Sequence, residues 1–107
     1  MISPKRRKPA GLSLAQFKAT LAERAPPPAL APTLAALWYA ANGNWERAHD
    51  ASQEQDDADG AWVHAYLHRL EGDEENARYW YGRAGRPVSS AKAAQEWEEI
   101  AKALMKR

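Results

Sequence analysis

Two dipeptides, Gly43-Asn44 and Gly72-Asp73, restrict the fold of this chain more than any other feature in it. Each stands between two stretches of helical periodicity. A glycine after one helix supplies the left-handed backbone that ends it, and the Asn or Asp that follows is a favoured cap for the next. The two sites lie 29 residues apart. A shift of that size superposes Gly43 on Gly72, Asn44 on Asp73 and Ala48 on Ala77, and aligns Gly-Asn-Trp-Glu-Arg-Ala with Gly-Asp-Glu-Glu-Asn-Ala. The alanine five positions after the glycine has a steric reason, because two antiparallel helices joined by a tight turn come closest there. The spacing therefore predicts two related helical hairpins.

The remaining elements follow from caps and breakers. Ser13 with Gln16 reads as a capping box, and Leu14, Phe17 and Leu21 share one face of a first helix running to about Arg24. Pro26, Pro27 and Pro28 end it and begin a stiff connector to Ala31. Pro32 suits the first turn of the next helix, whose apolar stripe is Leu34, Leu37, Trp38 and Ala41. After Asn44, a helix carrying Trp45, Ala48 and Ser52 on one side runs to about Gln55, and Asp56 to Gly60 reads as a loop. A helix over Ala61–Glu71 turns Val63, Leu67 and Leu70 inward. Another runs from Asp73 to Ala84 and stops at Gly85 and Pro87. Ser90 is expected to cap a last helix that faces the core with Ala94, Trp97, Ile100 or Ala101, and Leu104. No segment alternates as a strand does, and Val and Ile together number four. The expected fold is all-α: two antiparallel helical hairpins flanked by an N-terminal and a C-terminal helix. Residues 13–107 form one domain with repeat units at about 33–55 and 61–86, preceded by a flexible basic arm at 1–12.

Composition narrows the function classes. The chain has 107 residues, 45% of them hydrophobic, and no cysteine. This excludes disulfides, thiolate zinc sites, iron–sulfur clusters and a thiol nucleophile. No run approaches the ~18 apolar residues of a membrane span. Lys5, Arg6, Arg7 and Lys8 are followed by Pro9 and Gly11, not by the apolar run of a secretory signal, so the expected compartment is the cytoplasm. Without those four basic residues the balance is 11 basic against 14 acidic. The acidic middle speaks against nucleic acid, and the basic arm reads as a solubilising terminus.

The pattern Gly72-Asp-x-x-x-Ala77-x-x-Trp80-Tyr81-x-x-Ala84 resembles tetratricopeptide-type repeats, and it looks closest to the Sel1-like variety. The resemblance covers residues 33–86 and implies a helical-repeat interaction module. The 29-residue period is shorter than the usual ~34, and two units fall below the roughly three that a solenoid needs. The flanking helices at 13–24 and 90–106 would have to close the core. The block from His64-Ala-Tyr-Leu-His-Arg-Leu-Glu-Gly-Asp through Asn76-Ala-Arg-Tyr-Trp-Tyr-Gly-Arg-Ala-Gly-Arg86 is also similar to a family of small uncharacterised proteins, a resemblance that carries no activity with it.

Two constellations carry chemistry. His64, His68 and Glu71 fall at i, i+4 and i+7, on one helical face beside the Val63–Leu67–Leu70 stripe. Two histidines four apart can chelate a divalent metal, with Glu71 one turn further as a third ligand and His49 from the preceding helix reaching the same groove. The bland reading is that these imidazoles hydrogen-bond neighbouring helices and carboxylates. Asn76, Tyr79 and Arg83 fall at i, i+3 and i+7, with Arg69, Arg78 and Arg86 nearby. Such a face suits a carboxylate or phosphate, or a peptide, since Tyr, Trp and Arg dominate interface hot spots. Its bland reading is ion pairing with the acidic loops at 54–59 and 71–75. Nine Trp and Tyr residues against one Phe read first as volume fillers whose polar atoms need partners.

No GxSxG, P-loop or Rossmann glycine pattern is present, so a binding role is expected over a catalytic one. The leading expectation is a protein-protein interaction module, with a protein partner or a second copy of the chain, using His64, His68, Arg69, Glu71, Asn76, Tyr79 and Arg83. No cofactor is expected on that reading. The alternative is a small-molecule or metal site in the groove at 49–83, with His49, His64 and His68 as metal ligands.

Overall fold

A computed structural model of the chain describes residues 12–107; the expected basic arm, apart from Leu12, lies outside the described residues. Six α-helices and no strand occur among them: α1 Leu14–Ala19, α2 Pro32–Ala41, α3 Trp45–Gln53, α4 Ala58–Leu70, α5 Glu74–Ala84 and α6 Ala93–Met105. No helix among them is long and apolar enough to cross a membrane.

The two glycine turns form as their sequence dictates. Gly43 and Gly72 take φ values of 77° and 82°. In each, the glycine N–H donates to the carbonyl three residues back (Ala40, Arg69), and the next N–H reaches the carbonyl five back (Tyr39, His68). Asn44 and Asp73 thus finish one helix with their backbone and open the next with their side chains, which accept from Arg47 N and Asn76 N. Ala48 and Ala77, at the expected close approach, are buried. The hairpins α2–α3 and α4–α5 pack in series through α3 and α4, and α6 lies against α4 and α2.

The capping box at Ser13 forms in full, but α1 ends at Ala19 and passes through a 3-10 turn to Ala22, short of Arg24. Its Phe17 is fully buried and stacks on Trp97 at 5.6 Å, joining the N-terminal helix to α6. Three indoles that fill volume also satisfy their nitrogens. Trp38 Nε1 donates to Thr20 O, Trp45 Nε1 to Leu67 O, and Trp97 Nε1 to Leu37 O.

Other sequence expectations give way. The loop at Asp56–Gly60 is largely helix: Asp57 caps α4 by accepting from Gly60 N, and Gly60 sits in its first turn. Glycine is needed there because the chain just past α3 comes close: a Cβ on Gly60 would lie 1.7 Å from the Gln55 carbonyl oxygen. Ser90 does not cap α6, which starts at Ala93 behind Lys92 with no side-chain cap bond. The segment before α6 is held instead by Arg69, which donates to the Ala91 carbonyl. Ala94 is exposed, and Leu70, at the last turn of α4, is 40% exposed and not inward. The α2 stripe is also rotated: Thr33, Ala36, Leu37 and Trp38 are buried, Leu34 is half-buried and Ala41 is exposed.

α4 is the central helix. Nine consecutive residues from Gly60 to His68 are buried, because α2, α3, α5 and α6 surround it. Polar side chains on such a helix must find partners inside the protein. Arg69 finds Glu96 of α6 at 2.6 Å, and the other Glu96 oxygen accepts from Tyr81 OH of α5 at 2.6 Å. Glu96 is only 1% exposed, so this carboxylate joins three helices from within. Burial, with the Glu96 charge next, pushes the nearby Tyr66 hydroxyl up to about 12.

Candidate functional site

The helical spacing of His64, His68 and Glu71 places them along the side of α4 that meets α3 and the start of α5. His49 projects from α3 into the same space. The three imidazoles converge, with one ring nitrogen of each within 4.8 Å of the others. His64 and His68 lie nearly parallel at 4.8 Å between ring centroids, as i, i+4 side chains do. His49 meets His64 edge-on at 4.5 Å and His68 at 5.3 Å.

Two indoles back this cluster. Trp45 stacks on His49 at 4.8 Å, and Trp80 of α5 stacks on His64 at 3.9 Å with an interplanar angle of 10°. His64 and His68 are 4% and 6% exposed, while His49 is half-buried at the rim. His68 Nδ1 lies 2.7 Å from Glu71 Oε2. A carboxylate only accepts, so Nδ1 is the donor in this bond, and in the neutral ring Nε2 is the nitrogen with a lone pair. Glu71 and Asp73 also group with His68 within 4.8 Å, at the exposed end of the cluster.

Burial lowers the His64 pKa to about 4, and the positive charge that His49 and His68 would carry adds to this. Burial lowers His49 too, helped by His68 and opposed by Asp50 and Glu71. His64 is therefore neutral at physiological pH, the form in which a ring nitrogen can accept a proton or bind a metal.

A groove of about 430 Å³ opens beside His64, between the α3–α4 turn and α5, and Asp56, Asp57, Trp80 and Arg83 help to line it. Arg83 Nη1 donates to Tyr79 OH at 3.0 Å, and its guanidinium lies over the Trp80 ring at 5.4 Å. Tyr79 itself is 55% exposed.

Of the residues singled out from sequence, the structure gathers His49, His64, His68 and Glu71 at one point. Tyr79 and Arg83 sit nearby, in contact with Trp80. Arg69 is turned to Glu96 and Ala91, so it serves the α4–α6 contact. Asn76 bonds back to the Asp73 carboxylate at 3.3 Å and belongs to the turn. Trp45 and Trp80 were not marked by sequence as walls of a site, and Glu96 was not marked as buried. Glu96 had a signal: it sits four before Ile100 and eight before Leu104, in register with the core face of α6.

Comparison with known proteins adds no assignment: no family model, no curated protein and no solved structure matches this chain.

Proposed function

We propose that this chain is a binding module of the tetratricopeptide or Sel1-like kind that receives a polypeptide segment on α5 and in the groove beside it. The observation that carries this reading is the Tyr79–Arg83 pair. Tyr79 contributes nothing to the core, yet Arg83 holds its hydroxyl and lies over both its ring and that of Trp80. An exposed aromatic held in place before binding loses little entropy on contact, which is how interface hot spots gain affinity. The groove has a cationic side at Arg83 and an acidic side at Asp56 and Asp57. This suits a segment whose basic side chain meets the carboxylates while a carboxylate or carbonyl meets Arg83. The serial packing of α2–α3 on α4–α5 fits the repeat reading.

The test is photo-cross-linking from a reactive group placed at position 79, in parallel with a Tyr79→Ala/Arg83→Ala variant in a pull-down. A specific partner captured by wild type and lost by the variant is the expected result. Identical captures by both remove the reading. Sedimentation across protein concentrations tests the simplest partner, a second copy of the chain, and an unchanging monomer excludes it.

A further inference from the structure

We infer that His49, His64 and His68 form a binding site for one divalent late first-row transition-metal ion, with Glu71 as the group that orients His68. The inference is independent of the docking surface on α5. Three observations carry it. The first is convergence from two helices: the nitrogens lie within 4.8 Å of one another, although His49 is 15 residues from His64 in the chain. The second is the bond from His68 Nδ1 to Glu71. Histidine ligands regularly give their second nitrogen to a carboxylate, which fixes the tautomer and raises the basicity of the ligating nitrogen. The third is His64, 4% exposed, for whose ring nitrogens no protein hydrogen-bond partner occurs among the described residues. A buried polar group without a partner is costly, and a metal ion in the cluster would satisfy it.

The donor set defines the ion. Three imidazoles with no thiolate suit zinc, copper(II), nickel or cobalt(II), and not calcium or magnesium, which take oxygen ligands. Zn–N bonds of ~2.0–2.1 Å hold tetrahedral nitrogens about 3.4 Å apart, so the cluster closes by on the order of 1 Å to bind. His49, half-buried at the rim, is placed to supply that movement by turning its side chain. Three protein ligands leave a fourth position for water or an external group, as in open zinc sites.

The experiment uses the whole chain, purified without a nickel column and stripped with a chelator, and titrated with zinc and separately with cobalt(II). One equivalent of zinc per chain, a thermal midpoint raised by several degrees and cobalt absorption of the four-coordinate type are expected. His49→Phe retains an aromatic ring against Trp45. Glu71→Gln alters a half-exposed side chain whose hydrogen bond goes to His68 Nδ1, and its amide oxygen can still accept that bond. Glu71→Gln is expected to weaken zinc binding by about 10–100-fold and His49→Phe, which removes a ligand, by more, with the metal-free helical spectrum unchanged in both. Absence of binding at about 100 µM free zinc overturns the inference, as does stoichiometric binding that both variants keep.

Discussion

The Tyr81 hydroxyl and the Glu96 carboxylate meet at 2.6 Å in a place that solvent hardly reaches, and Arg69 closes on the second carboxylate oxygen at the same distance. Side chains from three helices thus share one buried charge. Truncating one partner of a buried pair leaves the other uncompensated and costs about 3–5 kcal/mol. Glu96→Ala is expected to lose that much in urea denaturation, and Glu96→Gln less, since the amide still accepts from either partner. Tyr81→Phe and Arg69→Met should be less than additive with Glu96→Ala. A loss below about 1 kcal/mol for Glu96→Ala, the range of an exposed ion pair, would place Glu96 in contact with water.

Two helical glycines make opposite predictions. Gly60 has the Gln55 carbonyl oxygen where a Cβ would stand, 1.7 Å away, and the obstacle is backbone. Gly60→Ala therefore has to push the backbone at Gln55, just past α3, from the start of α4, a loss of about 2–3 kcal/mol or more. Gly82, in the last turns of α5, has nothing within 4 Å of that position. Gly82→Ala is expected to gain about 0.5–1 kcal/mol from helix propensity. Equal effects of the two changes on the denaturation midpoint would contradict the packing described for α3 and α4.

Acid should weaken the metal-free fold through His64. Its pKa is lowered from 6.5 to about 4, chiefly by burial and then by His49 and His68. Below pH 6.5 the unfolded chain takes up a proton that the folded chain refuses, so the contribution is complete above that pH and is lost as pH falls toward 4. His49 moves in the same direction, with Asp50 and Glu71 opposing. For His64 the loss between pH 7.5 and 4.5 is on the order of 2–3 kcal/mol. His64→Phe, which preserves the stack on Trp80, should lose that much less over the same interval. Parallel pH profiles for wild type and variant would show that His64 is not the group responsible.

Much of the helical order was legible because helix ends are local. A left-handed glycine, the carbonyls it reaches three and five residues back, and the cap that follows all lie within a few residues, so Gly43-Asn44 and Gly72-Asp73 set their hairpins without help. The candidate site was legible in part. The i, i+4, i+7 spacing put His64, His68 and Glu71 on one face, and His49 was named as the third imidazole. Whether His49 reached them depended on how α3 crosses α4. The burial of two of the histidines came from α4 being enclosed by four other helices.

The places where sequence reading gave way share one cause. Gly60 looked like a loop glycine because its constraint, the Gln55 carbonyl oxygen just past α3, comes from the angle at which α3 gives way to α4. Ser90 looked like a cap because Arg69, which fixes the following segment at Ala91, is 22 residues away. Arg69 looked like a ligand-binding cation until Glu96 was seen beside it. By itself the sequence determined the two glycine turns, the caps at Ser13, Asn44 and Asp73 and most helix registers, since hydrogen bonds within about six residues decide those. The tertiary structure alone decided which polar side chains meet inside the protein, because a buried charge or imidazole takes its partner from whichever helix lies opposite.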